Sequence, residues 1–416
     1  MPETQFERLR SDVGEAVRQP DFLSVRLRAA RVRRRRAATT AAIFLVTVLS
    51  LTGLGYAVQR DHRGAATFPG GPTAETPWPR MTSVVATGKD LYGVLVRCPD
   101  CASELYATSD GGDSWQLRTV PPEPADADTP RSVSLVALAP GILGWRDARV
   151  IPIHEAISTE PTADRLWITT NGGGSWQKAV VDRKPVAAVP AGTSAVGCEL
   201  PAISTCAVAA VDPATGTLAP LAAQPKGIVV DPSWPGQVNV PAGGRLWVPG
   251  LDPVTKKPAI ATSADAGRTW RTHVFADGVA AVYQGGTTGM MYVPRVAAGP
   301  GPTAYALTYR ADDAVDARYT TDGGVTWRTG ETLREGTAID SYVTAYGEHV
   351  VTTGTAAVSA DGTGPYTAVS LAGYPAEPVE LTRITTAAAT ERYLVKSQIG
   401  PYVSHDGRTW RRVPLP

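Results

Sequence analysis

Thr320-Thr321-Asp322-Gly323-Gly324-Val325-Thr326-Trp327 has near-copies spread down the chain. Thr108-Ser109-Asp110-Gly111-Gly112-Asp113-Ser114-Trp115, Thr169-Thr170-Asn171-Gly172-Gly173-Gly174-Ser175-Trp176 and Ser263-Ala264-Asp265-Ala266-Gly267-Arg268-Thr269-Trp270 share its pattern, Ser/Thr-x-Asp-x-Gly-x-Ser/Thr-Trp. Ser404-His405-Asp406-Gly407-Arg408-Thr409-Trp410 follows it with one residue fewer between Asp and Gly. Ser359-Ala360-Asp361-Gly362-Thr363-Gly364-Pro365-Tyr366 is a decayed sixth copy. The pattern reads as a hairpin turn. Asp or Asn hydrogen-bonds its own backbone two residues on, and Gly supplies the positive φ of a tight connection. The Ser and Thr hydroxyls add local bonds, and the Trp opens the next strand with a large apolar ring that can wedge between neighbouring sheets. β-prone runs such as Leu105-Tyr106-Ala107 and Leu166-Trp167-Ile168 precede the turns. A turn role accounts for every position, so the acidic residues need no metal or catalytic task.

These segments resemble the Asp-box, or bacterial neuraminidase repeat, of sialidase-like β-propellers. The positions that match the motif are Asp110, Gly112 and Trp115; Asn171, Gly173 and Trp176; Asp265, Gly267 and Trp270; Asp322, Gly324 and Trp327; and Asp406, Gly407 and Trp410. The resemblance implies an all-β propeller. Units of four short strand-like runs can be counted. The first comprises Ser83–Ala86, Leu91–Val96, Glu104–Ala107 and Trp115–Arg118; the last comprises Leu381–Ile384, Tyr393–Lys396, Pro401–Val403 and Trp410–Val413. The interval from Trp176 to Trp270 has room for two units, the first using a different hairpin within Ala207–Leu218. With the decayed copy this gives seven blades, with six as the alternative because the third unit and Gly278–Ala311 are hard to parse.

At 416 residues, rich in Gly and Pro, the chain suits many short strands joined by turns. Its net charge of +1 conceals an asymmetry. Of 40 basic and 39 acidic residues, 10 and 5 lie in residues 1–36, leaving 30 and 34 beyond. The larger part therefore lacks the basic balance of a nucleic-acid binder. Residues 37–58 are uncharged and largely apolar, and as a helix would span about 33 Å, enough to cross a bilayer core. Arg31 and the run Arg33–Arg36 abut its start, which puts the N-terminus in the cytoplasm and the rest outside. A cleavable signal ending near Gly55-Tyr56-Ala57 is the rival reading, against which stand the long preceding segment and the long apolar run. The expected organisation is a basic cytoplasmic segment (1–36), a transmembrane helix (37–58), a flexible stalk (59–79) and an extracytoplasmic propeller (80–416). High Ala, Arg, Gly and Pro use suggests a bacterial, GC-rich origin. Thr4–Arg18 has helical spacing of Phe6, Leu9 and Val13, which suits lipid contact or a cytoplasmic docking partner of residues 1–36.

Four cysteines fit an oxidising compartment. Cys98 and Cys101 sit in Arg97-Cys98-Pro99-Asp100-Cys101, and Cys198 and Cys206 bracket a second short connection. Both pairs read as disulfides pinning loops. A lone CxxC also occurs in redox centres and zinc half-sites. Here no second CxxC and no His stands at ligand spacing, and Ser103–Thr108 reads as strand rather than helix.

In propellers of this resemblance ligands gather on the face opposite the repeated turns. The long candidate connections there are Arg146–Arg165, Arg310–Arg318 and Leu251–Pro258. Sialidase activity would require an arginine triad, a Tyr–Glu nucleophile pair and an Asp acid, with an Arg-Ile-Pro opening motif. Thr76–Met81 lacks that motif, Arg149-Val150-Ile151-Pro152 matches it only superficially, and Tyr346-Gly347-Glu348 is explained by a hairpin turn. Glu155 and Asp313 are the carboxylates open to a glycosidase role, although nothing in the sequence brings them together. No metalloprotease, P-loop or nucleophile-elbow motif occurs, and no cofactor or metal is implied. The expected function is a membrane-anchored, non-catalytic module that binds or assembles an extracytoplasmic protein or glycan, with a sialidase-like glycoside hydrolase as the alternative.

Overall fold

Runs of Val, Leu, Ala and Tyr, many of them ended by a glycine-bearing turn, fold back on the preceding run and build seven separate antiparallel sheets. The computed structural model describes residues 78–99, 101–122, 131–149, 165–197, 207–230, 237–238, 245–280, 293–299, 301–310, 314–333, 340–352, 357–375, 385–386, 393–397 and 400–416. The chain divides into two compact units, Met1–Ala74 and Glu75–Pro416, and every described residue lies in the second. Among the described residues no helix is long and apolar enough to cross a membrane. The proposed span at 37–58 lies outside them.

The first sheet runs β1 (Arg80–Thr87), β2 (Asp90–Val96), β3 (Glu104–Thr108), β4 (Gln116–Arg118). The second is β5 (Arg131–Ala139), β6 (Ile142–Arg149), β7 (Arg165–Thr169), β8 (Gln177–Lys178). The third holds β9 (Ala195–Gly197), β10 (Val208–Val211), β11 (Leu218–Pro220) and β12 (Gln237–Val238), in the spatial order β11-β10-β9-β12. The fourth has three strands, β13 (Leu246–Leu251), β14 (Pro258–Ser263) and β15 (Arg271–Val274). The fifth is β16 (Arg295–Ala298), β17 (Ala304–Tyr309), β18 (Val315–Thr320), β19 (Arg328–Leu333), and the sixth β20 (Asp340–Val343), β21 (His349–Thr352), β22 (Ala357–Ala360), β23 (Thr367–Ala368). The seventh is β24 (Thr385–Thr386), β25 (Tyr393–Ser397), β26 (Gly400–Ser404), β27 (Arg411–Arg412). This is a seven-bladed β-propeller, and the six-bladed alternative is excluded. One departure from simple order stands out. β12, which precedes the fourth sheet in the chain, pairs with β9 of the third.

The apolar core is divided among the gaps between neighbouring sheets. Val85, Tyr92 and Leu105 of the first sheet meet Leu135, Leu143 and Trp145 of the second. Leu166 and Ile168 meet Val211 and Leu218 between the second and third. Trp247, Ile260 and Phe275 meet Ala304 and Ala306 between the fourth and fifth. A wholly buried leucine in such a gap contributes about 2 kcal/mol. The ring closes where Ala86 and Leu91 of the first sheet pack on Leu394, Val403 and Val413 of the seventh region. Among the described residues no strand is exchanged there, since the first and seventh sheets are each built from one stretch of chain.

The repeated turns connect the last two strands of their sheets. In the first, Gly112 N donates to Thr108 Oγ1 at 2.9 Å and Ser114 N to Asp110 Oδ1 at 3.0 Å. The turn at Asn171 repeats this through Gly173 N to Thr169 Oγ1 (3.0 Å) and Ser175 N to Asn171 Oδ1 (2.9 Å). The turns at Asp265 and Asp322 do the same. The shorter turn at Asp406 spreads that carboxylate over Arg408 N and Thr409 N, each at 2.8 Å. The third sheet, which lacks the pattern, uses Asp212 to accept from Ala214 N and Thr215 Oγ1, with Gly216 at φ 72°.

The tryptophans that follow reach across the gaps. Trp115, Trp176 and Trp270 each donate Nε1, at 2.8 Å, to a carbonyl just past the outer strand of the preceding sheet: Pro414, Thr119 and Ala223 respectively. Trp327 packs edge-on to Trp247 with its Nε1 buried and unpartnered. Tyr366 stands at the corresponding place in the sixth sheet and joins the cluster of Leu307, Val315 and Val351.

Two stability predictions arise from these contacts. Ala266 sits at φ 60°, where Gly111, Gly172 and Gly323 occupy the same place in other turns. Ala266→Gly is expected to raise Tm by about 1–2 °C through relief of the left-handed strain. Trp176→Phe, which removes a made indole hydrogen bond, should cost about 1 kcal/mol more than Trp327→Phe. Chemical denaturation of both variants checks the difference.

Candidate functional site

Because adjacent strands are antiparallel, turns between first and second strands of the four-stranded sheets that carry a repeated turn share an end with it. Ala345 N, between β20 and β21, donates to Asp406 O of a repeated turn at 3.0 Å. The connections between second and third strands, and those from one sheet to the next, therefore emerge at the opposite end. Two charged clusters are described there.

The first surrounds the β2–β3 connection. Leu95 pairs with Glu104, and just beyond, Arg97 Nε donates to Glu104 Oε2 at 2.9 Å and its Nη2 to Tyr106 OH at 2.7 Å. Tyr106 OH in turn donates to the same carboxylate oxygen at 2.9 Å. Its hydrogen bond, then that of Glu104, raises the Arg97 pKa, so the guanidinium stays charged. Cys98 and Cys101 are disulfide-bonded across this turn. Cys198 and Cys206 lie outside the described residues.

The second cluster spans the fourth and fifth sheets. Asp316 and Arg318, two apart on β18, share one side of the strand. Arg318 is 5% exposed and nearly saturated as a donor. Nε donates to Thr308 Oγ1 (3.2 Å), Nη1 to Thr329 Oγ1 (2.6 Å), and Nη2 to both Asp277 Oδ2 (2.8 Å) and Asp316 Oδ2 (3.0 Å). Thr332 Oγ1 donates to Asp316 Oδ1 at 2.7 Å, and Arg310 Nη1 lies 3.6 Å from that oxygen. The guanidinium also stands over the Phe275 ring, 5.7 Å from its centre. Asp277 is the open end of the cluster, with a side chain 64% exposed. Partial burial opposes its ionisation, but the hydrogen bond and charge of Arg318, helped by Lys257, hold its pKa below the usual carboxylate range. Burial, reinforced by Arg318, likewise keeps His273 neutral to lower pH than usual. An ionised, exposed carboxylate of this kind accepts hydrogen bonds from hydroxyl or amide groups of a ligand. It has no proton to give.

This arrangement corrects the sequence-based reading of two connections. Arg146 and Asp147 were expected in a long loop, yet both belong to β6, where Asp147 stands in register with Arg165 of β7. Val315–Arg318 was expected in another, yet it forms β18. In both cases opposite charges in cross-strand register, or two residues apart on one strand, let a charged sequence extend a sheet. Leu251–Pro258 does connect β13 to β14, through a turn in which Asp252 accepts from Thr255 and Val254 N. Glu155 and Asp313 lie outside the described residues, as do residues 381–384, where the first strand of the last unit was expected; that strand is Thr385–Thr386. Asp277 and His273 escaped the sequence reading, and the only available signal was the i, i+2 alternation of Asp316 and Arg318.

Tyr346 and Glu348 lie at the end of the repeated turns. Glu348 accepts from Arg408 Nε at 2.8 Å and bonds its Nη2 as well. The carboxylates of the repeated turns are also fully engaged. At Asp110 the Ser114 and Thr108 hydroxyls push the pKa well below the usual range, and at Asp322 those of Thr326 and Thr320 do so. At Asp265 burial opposes the shift, but Thr269 and Ser263 prevail and bring it to about 2. Among the described residues no group of three His, Cys, Asp or Glu is placed to hold a metal ion. One buried imidazole remains. His349 stacks on Tyr305 with ring centres 4.3 Å apart, contacts Tyr366 OH through Nδ1, and has Nε2 buried without a partner. Burial lowers its pKa to about 3.

No protein-family model matches the sequence. No curated protein matches it either. Among solved structures the chain is similar to YCF48 bound to a D1 peptide, at 14% identity and a TM-score of 0.31 over 80% of this chain and 81% of that one. It is similar to an α-L-arabinanase of Penicillium chrysogenum complexed with arabinobiose, at 12% and 0.37 over 80% and 93%. It is also similar to a Hadza microbial sialidase, at 15% and 0.35 over 68% and 63%. Likenesses at these values transfer no activity, substrate or partner to this chain.

Two outcomes test the energetics. Arg318→Ala leaves the buried Asp316 carboxylate with only Thr332 and the more distant Arg310 as partners and should cost about 3 kcal/mol in urea unfolding. A depressed folded pKa means stability present above the ordinary value and lost as pH falls through the folded one. For His349 the loss runs from about pH 6.5 down to about 3. His349→Gln should flatten the pH dependence of Tm in that window.

Proposed function

We propose that this chain is a membrane-anchored Asp-box propeller whose loop-bearing end is a non-catalytic surface that binds or assembles an extracytoplasmic protein or glycan. The observation that carries this reading is the Asp277–Arg318–Asp316 cluster. Arg318 fixes an exposed carboxylate in its ionised form at the end where connections from the sheets emerge. Such a group anchors ligand hydroxyls or amides, whereas cleavage of a glycosidic bond needs a carboxylic acid that retains its proton. The sheets behind it interlock through shared apolar gaps, which gives Asp277 and Arg318 a packed support.

Anchorage is supported by the apolar run at 37–58 and the arginines before it. The stalk at 59–79 would hold the propeller clear of the headgroups, and residues 1–36 would face the cytoplasm, where their basic balance suits anionic lipid or an acidic partner.

The test combines location with turnover. The full-length chain should stay with the membrane after alkaline carbonate washing, and exogenous protease should digest residues beyond 80 from outside. Purified in detergent, it should hydrolyse no member of a fluorogenic glycoside panel that includes sialosides. Its binding to an immobilised glycan or crosslinked surface protein should weaken about tenfold in Asp277→Ala, the loss of one charge-assisted bond. Turnover abolished by Glu155→Gln or Asp313→Asn would overturn the binding reading and establish a hydrolase.

A further inference from the structure

The disulfide at the β2–β3 connection has little to do for the fold. β2 and β3 are already paired from Leu91↔Thr108 to Leu95↔Glu104. Beyond that pairing the turn is closed by the Arg97–Glu104 ion pair at 2.9 Å, the Arg97–Tyr106 hydrogen bond at 2.7 Å, and Cys101 N donating to Cys98 O at 3.1 Å. A crosslink between residues three apart restrains an unfolded chain less than any longer bridge does. Among the described residues neither cysteine joins an apolar cluster of the core. Pro99, Cys101 and Ala102 are exposed and Cys98 is half-buried.

We propose that Cys98–Cys101 is a thiol–disulfide exchange site, a chemistry separate from the binding role of the same end of the propeller. An external thiolate attacks the exposed Cys101 Sγ. A new sulfur–sulfur bond forms as the Cys98–Cys101 bond breaks, and the electron pair leaves on Cys98 Sγ, which takes a proton from water. A second external thiolate then attacks the external sulfur of the mixed disulfide and releases Cys101 as a thiolate. Two electrons pass from the two external thiols, which leave as a disulfide, to the cysteine pair. The hydrogen bonds that close the turn do not involve sulfur. They keep Cys98 beside Cys101 after reduction, so attack of Cys98 on the mixed disulfide competes with the second step. The substrate is a reactive thiol, either a small monothiol or a peptide dithiol.

The experiment treats the full-length protein at pH 7.5 with glutathione in one arm and a reduced Cys-x-x-Cys peptide in the other. Free thiols are then tagged with maleimide and located by peptide mass. Cys98 and Cys101 should become labelled within minutes while Tm moves by less than about 2 °C. Reaction in the glutathione arm alone assigns a small-thiol substrate, and reaction in the peptide arm assigns a dithiol. Cys98→Ser, given oxidised glutathione instead, should accumulate the glutathione adduct at Cys101 as one reduced glutathione leaves, and the double variant Cys98→Ser/Cys101→Ser should keep the parental Tm. Resistance to labelling until the chain unfolds, or a fall in Tm of about 10 °C in the double variant, would overturn the proposal and make the bond a structural staple.

Discussion

A single four-stranded sheet with two apolar faces cannot stand in water, and the whole molecule is a response to that constraint. Each sheet covers one face with the sheet before it and the other with the sheet after it, so the core becomes a series of thin gaps. What sets the spacing of those gaps is the aromatic residue placed just after each repeated turn. At Trp115, Trp176 and Trp270 one ring supplies both apolar cover and a directed hydrogen bond to the neighbouring sheet. The indole thereby fixes the register of one blade against the next, which dispersion alone would leave free to slide.

The same local economy explains how much could be read from the chain. A turn that satisfies its own hydrogen bonds needs a fixed order of small and polar residues. Thr320, Asp322, Gly324 and Trp327 therefore leave a periodic mark that six units carry, while the third unit had to be inferred from the interval between Trp176 and Trp270, which left six blades as an alternative. The route taken by β12 left no such mark. Gln237–Val238 is too short and too ordinary to announce which neighbour it will pair with, and its choice of β9 depends on tertiary contacts alone. Charge misled in a different way. Asp147 and the Asp316–Arg318 pair look like solvated loop residues, because a sequence does not display the partner that will neutralise them. Asp277, forty-one residues from Arg318, is joined to it only in three dimensions.

The two ends of the sheets are chemically unlike. At the end of the repeated turns the motif carboxylates are consumed by hydroxyls and amides of their own turn, so their charge is spent on backbone geometry, and Glu348 alone among those discussed there is matched to an arginine, Arg408. At the other end Glu104 and Asp277 are matched to arginines, which leaves a polar atom facing outward while its charge state is fixed from behind. The first end is redundant, repeated and self-contained. The second varies from sheet to sheet, as expected of a surface whose details answer to something outside the molecule.

The seam between the first and seventh sheets is held by side chains rather than by a shared strand, and its partners are far apart in the chain. Trp115 and Pro414 are separated by 299 residues, and Val413 fits so closely over Gly112 that a Cβ there would come within 2.0 Å of its Cγ1. During synthesis the first blade must therefore wait, one greasy face bare, until the residues near 413 have left the ribosome. For that interval the nascent chain is an open stack with a sticky leading edge, and a chaperone or a second nascent chain can occupy the place that the seventh blade will later take.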